Sequence, residues 1–255
     1  MQIEYRKEYS NCLGRDMEYT IYGHAGKPVL FVPCMGGRFF DFENYHMTDT
    51  WAPWIDSGKV QVFSIDTIDN ETWASTGDPR TRIELHEKWL HGIIDELLPR
   101  MREHNTRCNG GYNGGKFMTF GCSLGAMHAG IFYFRYPDLF DTVLGLSGLY
   151  NADGMFGDYR DNLTYDNSPV DFIAGMNYDH PYIEKYNQGK MIFCVGRGAW
   201  EDELIDGTSR LQRVCEEKGI RAWFDYWGTD VNHDWPWWYR QCDYFLPKLL
   251  GDPNA

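Results

Sequence analysis

Residues 117–126, Phe-Met-Thr-Phe-Gly-Cys-Ser-Leu-Gly-Ala, constrain the fold of this chain more than any other stretch. Four mostly apolar, β-favouring residues run into Gly121-Cys122-Ser123-Leu124-Gly125, and Leu124 to Arg135 reads as a helix. A strand that turns sharply into a helix with serine at the apex is the nucleophile elbow. The turn forces the serine backbone into a strained conformation, and glycine neighbours let strand and helix approach closely. The plain alternative is a serine in a glycine-rich turn. The rest of the chain must therefore supply the partners that a nucleophile needs.

Strand and helix signals alternate around the elbow. Residues 3–9 and 17–22 read as two strands joined by a turn around Gly14, and Pro28 to Pro33 reads as a strand buried on both faces. Cys34-Met35-Gly36-Gly37 follows, and two glycines there can aim backbone N–H groups at one point, as an oxyanion hole requires. After a strand at 60–65 and a loop at 66–78, the apolar residues Ile83, Leu90, Ile93, Ile94, Leu97, Leu98 and Met101 recur at helical spacing from Arg80 to about Glu103. His86, His91 and His104 lie on or near this helix among charged residues and are expected to be solvated. Later strands are expected at 142–147, 190–195 and 221–226. Helices are expected at 206–218, closed by Gly219, and at 235–250, with Asp234 as N-cap and Pro236 in the first turn.

Between these elements, Gly148 to Tyr186 shows no sustained periodicity. A connection this long is uncommon unless functional or partly helical, and its place in the chain suits it to shaping a substrate pocket. The alternation behind an N-terminal antiparallel hairpin predicts a three-layer α/β/α sandwich around a mostly parallel sheet. With no repeat, low-complexity tract or linker, residues 1–255 are expected to form a single domain.

Composition narrows the partners. A net charge of −13 argues against nucleic acid or an anionic membrane surface, both of which need a basic footprint. No apolar run approaches the roughly 18–20 residues of a membrane span, and residues 1–7 carry no signal-peptide core. The seven cysteines are scattered, without CxxC spacing, and read as reduced thiols, which makes the cytoplasm the expected compartment. Nothing in the pattern calls for a cofactor. Aromatic residues are abundant, with 17 Tyr, 15 Phe and 10 Trp, enough for a large core and compatible with a homo-oligomer.

A serine hydroxyl needs a base within hydrogen-bond reach, and histidine suits that task near pH 7. In an elbow fold the order is serine, then acid, then histidine, with both partners in loops after later strands. Three histidines follow Ser123. His128 is on the elbow helix and His180 is in the long insertion, whereas His233 lies in the loop between the last strand and the last helix. His233 is the expected base. The loop after residues 190–195 offers Glu201, Asp202 and Glu203, of which Asp202 is favoured and Glu201 is the reserve; Asp230 is a weaker third candidate. Asp230, His233 and Asp234 also resemble metal ligands, but no matching cluster exists elsewhere, so no metal is expected.

Four stretches carry a family likeness: Gly121-Cys122-Ser123-Leu124-Gly125, Gly36-Gly37, Gly196 through Asp202, and Asn232-His233-Asp234-Trp235-Pro236-Trp237-Trp238. On these the chain resembles the Putative esterase branch of the α/β-hydrolase superfamily, which includes esterase D-like enzymes and mycolyltransferases. Counted back from Gly219-Ile220, the family's acid falls on Asp202. The sequence departs from the family in two places. Pro-Cys-Met-Gly-Gly replaces the commoner His-Gly-x-Gly-Gly, and Ala199-Trp200-Glu201 adds residues to the acid loop, which keeps Glu201 in contention.

The resemblance implies a serine carboxylesterase with Ser123 as nucleophile, His233 as base and Asp202 as acid, and the aromatic, acidic character of 148–186 suggests a small or medium ester. The backbone N–H of Leu124 and one from Met35, Gly36 or Gly37 would hold the oxyanion. The alternatives are an acyltransferase using the same residues, or a non-catalytic binding protein using the tryptophans around His233.

Overall fold

The computed structural model describes residues 1–253. Its eight strands are β1 (Ile3–Ser10), β2 (Arg15–Tyr22), β3 (Lys27–Val32), β4 (Val60–Ile65), β5 (Phe117–Cys122), β6 (Phe140–Leu146), β7 (Lys190–Val195) and β8 (Trp223–Tyr226). They form one sheet in the order β1-β2-β4-β3-β5-β6-β7-β8. The β1–β2 hairpin and the β2–β4 pair are antiparallel, and every later pairing is parallel. Edge strand β1 alternates between exposed and covered residues, whereas β4 and β5 are buried throughout. That contrast follows from helices covering both faces of the parallel part.

One face of the sheet carries α1 (Asp41–Asn44), α2 (Met47–Asp56) and α11 (Trp235–Leu250), packed on Val29, Phe31, Met118 and Phe120. The other carries α3 (Pro79–His91), α4 (Leu98–Cys108), α5 (Leu124–Arg135) and α10 (Asp202–Glu217), packed on Leu30, Val32 and Phe117. Alternate residues of β3 and β5 thus feed opposite cores, as the two-residue strand period requires. The result is the expected three-layer arrangement.

The expected helix over 80–103 is longer and interrupted. It begins at Asp78, whose carboxylate accepts the Thr81 N–H, and passes through a π-helical stretch at Gly92–Leu97 before α4. Pro99 sits at the join and has no N–H to donate, which favours a local change of helical pitch there. The histidines on this helix depart from expectation. His86 is buried, accepts a bond from Trp73 Nε1 and faces Asn167 Oδ1 with Nε2. The His104 side chain is largely covered beneath the hairpin, and His91 alone is half exposed. Of the charged neighbours that suggest solvation, Glu84 and Lys88 are exposed, but Arg82 is buried one turn before His86.

The unpatterned 148–186 stretch folds into α6 (Asp153–Phe156), α7 (Asn162–Asp166) and α8 (Pro169–Gly175), followed by α9 (Pro181–Gln188). Helices this short show almost no periodicity, which is why the sequence hid them. Asp161 caps α7 through a capping box with Thr164, and Val170, Phe172 and Ile173 anchor α8 in the core.

Two glycines permit the junction at the centre of the sheet. A Cβ on Gly121 would lie 2.2 Å from the Gly125 carbonyl oxygen, and one on Gly125 would lie 2.3 Å from that of Val32. Backbone cannot swing aside as a side chain can. Gly125→Ala is therefore expected to lower the urea-unfolding free energy by about 1–3 kcal/mol, the usual cost of overpacking. Gly110→Ala, where a Cβ meets nothing within 4 Å, isolates the cost of a positive φ without a clash.

Candidate active site

Ser123 sits between β5 and α5 with φ 58° and ψ −131°, a conformation that non-glycine residues rarely adopt. Its own N–H donates to the Leu146 carbonyl at the end of β6 (2.9 Å), so the neighbouring strand holds the strained residue in place. Leu124 is the first residue of α5, and an N–H in that position has no intrahelical acceptor. The apex thus offers a hydroxyl, a free N–H and the positive end of a helix.

The loops after β7 and β8 zip together beside it. Arg197 N–H donates to Gly228 O, Gly198 N–H to Val231 O, Ala199 N–H to Asn232 Oδ1, and His233 N–H to Ala199 O. Gly196 and Gly198 allow the approach, since a Cβ on either would meet the Val231 backbone at less than 3 Å. This register brings His233 Nε2 to 2.9 Å from Ser123 Oγ. The other ring nitrogen, Nδ1, faces Glu201 Oε2 at 3.4 Å. An ionised carboxylate can only accept, so Nδ1 carries the proton and Nε2 is left to accept from the serine.

Glu201, not Asp202, is the carboxylate beside the histidine. The expected helix at 206–218 starts four residues earlier, as α10, and this turns the side chains of its first residues. Glu201 takes the N-cap position but makes no capping bond; its side chain is fully buried beneath His233. Its Oε1 accepts from Ser147 Oγ (2.7 Å), and Ser147 Oγ in turn accepts from Trp238 Nε1 (3.2 Å). Asp202 is in the first turn of α10, where its charge complements the helix dipole, and is exposed. It lines a surface cavity of about 430 Å³ with Leu149, Asn151, Asp153, Glu203 and Arg210.

The remaining candidates stand apart from this contact. Asp230 is exposed in the β8 turn. Asp234 caps α11 by accepting the Trp235 N–H, and His180 caps α9 in the same way through the Tyr182 N–H. Among the described residues, no group of three or more His, Cys, Asp or Glu side chains is arranged to hold a metal ion, and no helix is long and apolar enough to cross a membrane.

On the other side of Ser123, Cys34–Gly37 forms a β-turn. Gly37 N–H donates to Cys34 O at 2.8 Å, and Gly36 stands at the third position with φ 68°. Gly36 N–H donates to Asp69 Oδ2 at 3.1 Å. Of the three N–H groups expected here, those of Gly36 and Gly37 are thus engaged within the chain, which leaves Met35. Trans peptide geometry puts the Met35 N–H opposite the Cys34 carbonyl, pointing out of the turn.

Sequence reasoning missed Ser147 and Trp238 as partners of Glu201, and Asp69 as a partner of the glycine turn. Ser147 carried a faint signal, because it ends the strand next to the elbow. Trp238 packs in the core with its ring set edge-on to His233 at 5.0 Å.

With this geometry in view, likeness to other proteins is informative. The family model described as Putative esterase matches residues 10–248. No curated protein sequence matches the chain. Among solved structures, a ferulic acid esterase superposes with a TM-score of 0.75 at 16% identity, covering 98% of each chain. The fluorophosphonate-binding serine hydrolase FphF of Staphylococcus aureus gives 0.69 at 12% identity, over 98% of this chain and 99% of its own. An S-formylglutathione hydrolase from Agrobacterium tumefaciens gives 0.71 at 12% identity, over 98% and 95%. At such identities the structural likeness speaks for the fold, and the family match covers nearly the whole chain. The chain belongs to the Putative esterase family and is a carboxylic ester hydrolase.

Proposed function

We propose that the protein is a serine esterase that cleaves a small or medium ester through an acyl-enzyme on Ser123, with His233 as base and Glu201 as the acid. The observation that carries this reading is the 2.9 Å contact between His233 Nε2 and Ser123 Oγ, made while Nδ1 faces a fully buried carboxylate. As Oγ attacks the ester carbonyl, its proton passes to Nε2 and the carbonyl electrons move onto oxygen. The N–H groups of Leu124 and Met35 receive that oxyanion. Collapse of the tetrahedral intermediate breaks the bond to the alkoxy oxygen, which takes the proton from Nε2 and leaves as the alcohol. Water then gives its proton to Nε2 and attacks the acyl carbon, and the second collapse restores Ser123 and releases the acid.

Glu201 contributes by holding the Nδ1–H tautomer and by stabilising the imidazolium in each half-reaction. Ser147 supports it by occupying the second carboxylate oxygen, so that only one faces the ring. Trp200 and Met35, both well exposed, flank the acid loop and the glycine turn and supply apolar surface for an acyl or alcohol group. A panel of p-nitrophenyl esters of increasing acyl length reads this preference directly.

Ser123→Ala is expected to fold normally, to lose about 10⁶-fold in kcat and to take no fluorophosphonate label. Wild-type activity in that variant would overturn the reading.

The acid assignment has its own test. Glu201→Gln is expected to lower kcat by about 10³–10⁴-fold, because an amide cannot hold the same tautomer. Asp202→Asn should leave kcat/KM unchanged. The reverse pattern in ester hydrolysis would return the role to Asp202.

A further inference from the structure

A polar cluster beneath the glycine turn takes no direct part in the acyl transfer. Asp69 follows β4, is 2% exposed, and divides its carboxylate between two distant segments. Oδ2 accepts the Gly36 N–H at 3.1 Å, and Oδ1 lies 2.9 Å from His128 Nε2. His128 is itself 1% exposed and lies one turn along α5 from Leu124. One buried carboxylate therefore touches both segments that would form the oxyanion hole: the turn that carries Met35 and the helix that begins at Leu124.

The surroundings fix this bridge. His128 lies against the rings of Trp73, Trp89 and His86. His86 accepts from Trp73 Nε1, so as a neutral ring it donates from Nε2 to Asn167 Oδ1. Burial, reinforced by His128, holds the His86 pKa well below the usual range and keeps it neutral. Burial alone would raise the Asp69 pKa; contact with His128 and the Gly36 N–H outweighs it and holds the group ionised, below the ordinary carboxylate range. An ionised Asp69 can only accept, so His128 Nε2 must donate.

The same loop grips the turn at further points. Thr67 donates its N–H and its hydroxyl to the Gly37 carbonyl, and Asp66 accepts the Phe39 N–H. The Gly36 contact differs from these in kind. In a β-turn the middle peptide can rotate between two states, and only one of them suits a positive φ at the third residue. The Gly36 N–H belongs to that middle peptide, here Met35–Gly36. Its bond to Asp69 selects the state, and with it the ψ of Met35 and the φ of Gly36, and so anchors the turn that carries the Met35 N–H.

We propose that Asp69, tied to His128, is a positioning residue that sets the separation and orientation of the Met35 and Leu124 N–H groups for the oxyanion. The proposal rests on the serine esterase reading above. Asp69 touches no reacting atom. Its effect should appear where tetrahedral geometry is bound and not where the ground-state ester is bound.

The test uses the full-length enzyme with p-nitrophenyl acetate as substrate and phenylboronic acid as a tetrahedral adduct-former on serine. Fluorophosphonate labelling of the wild type and of Ser123→Ala comes first. Asp69→Ala is expected to lower kcat by about 10²-fold, comparable to losing one oxyanion donor. KM should change little, and the boronate inhibition constant should rise in parallel with the fall in kcat.

Asp69→Asn keeps one oxygen acceptor in place of two and should fall between the alanine variant and the wild type on both measures. If Asp69→Ala does not fold, Asp69→Asn decides alone. A kcat and boronate affinity equal to wild type, or a loss confined to KM, would overturn the proposal while normal labelling left the serine reading intact. Failure of the wild type to label at all would remove the serine reading and this proposal together.

Discussion

The close backbone approach at Gly121 and Gly125 is the constraint on which the rest of this site depends. A helix leaving a parallel strand normally stands off from the sheet by the thickness of a side chain. Here α5 meets the end of β3 with no side chain between them, because a Cβ on Gly125 would penetrate the Val32 and Pro33 carbonyls. That contact puts the first N–H of α5 beside the segment that leaves β3, the Cys34–Gly37 turn. It also raises Ser123 above the sheet in a conformation that Leu146 holds by hydrogen bonding. Packing at one junction therefore brings Ser123 and the start of α5 beside the Cys34–Gly37 turn before any polar side chain is considered.

The base side is built differently, from two loops bonded to each other. Four hydrogen bonds between residues 197–199 and 228–233 make the acid loop and the histidine loop one unit. Within it, Glu201 is fully buried, which would be costly for an unpartnered carboxylate. The cost is offset by Ser147 on one oxygen and His233 on the other. Such an arrangement grows stronger when the ring gains a proton, because a neutral–anionic contact then becomes an ion pair in a region shielded from water. In the proposed acyl transfer, that protonated ring forms each time Nε2 takes a proton from Ser123 or from water.

How much of this was legible in the sequence depended on whether the signal was local. The elbow, the succession of strands along the chain after it and the loop position of His233 were legible because each rests on a short run of residues in chain order. The carboxylate beside His233 lies one residue before the one the sequence favours, at Glu201 and not Asp202. The periodicity of α10 is clear only from its buried positions Gly207, Thr208 and Leu211 onward, so its first turn looked like loop. Moving a helix start by four residues changes which of two adjacent carboxylates points inward. The burial of His86 was not legible because its own helix displays charge, while two of the three rings against it come from elsewhere in the chain, Trp73 and His128 on α5, and only Trp89 from α3. Asp69 left no trace at all, since its partners are 33 and 59 residues away and belong to no motif.

Two buried carboxylates, Asp69 and Glu201, stand on opposite sides of Ser123 and are not equivalent. In the proposed mechanism the ring that Glu201 faces becomes cationic, so its negative charge would favour the transition state directly. Asp69 lies behind the proposed oxyanion donors, where a bare negative charge would disfavour a developing oxyanion. What makes that placement tolerable is that both Asp69 oxygens are occupied, one by the Gly36 N–H and one by His128. An ionised side chain at this position is then useful for the rigidity of the peptide it grips. Charge-assisted bonds to a carboxylate are stronger than bonds between neutral groups, and a turn whose middle peptide is held in that way has little freedom to reorganise during reaction.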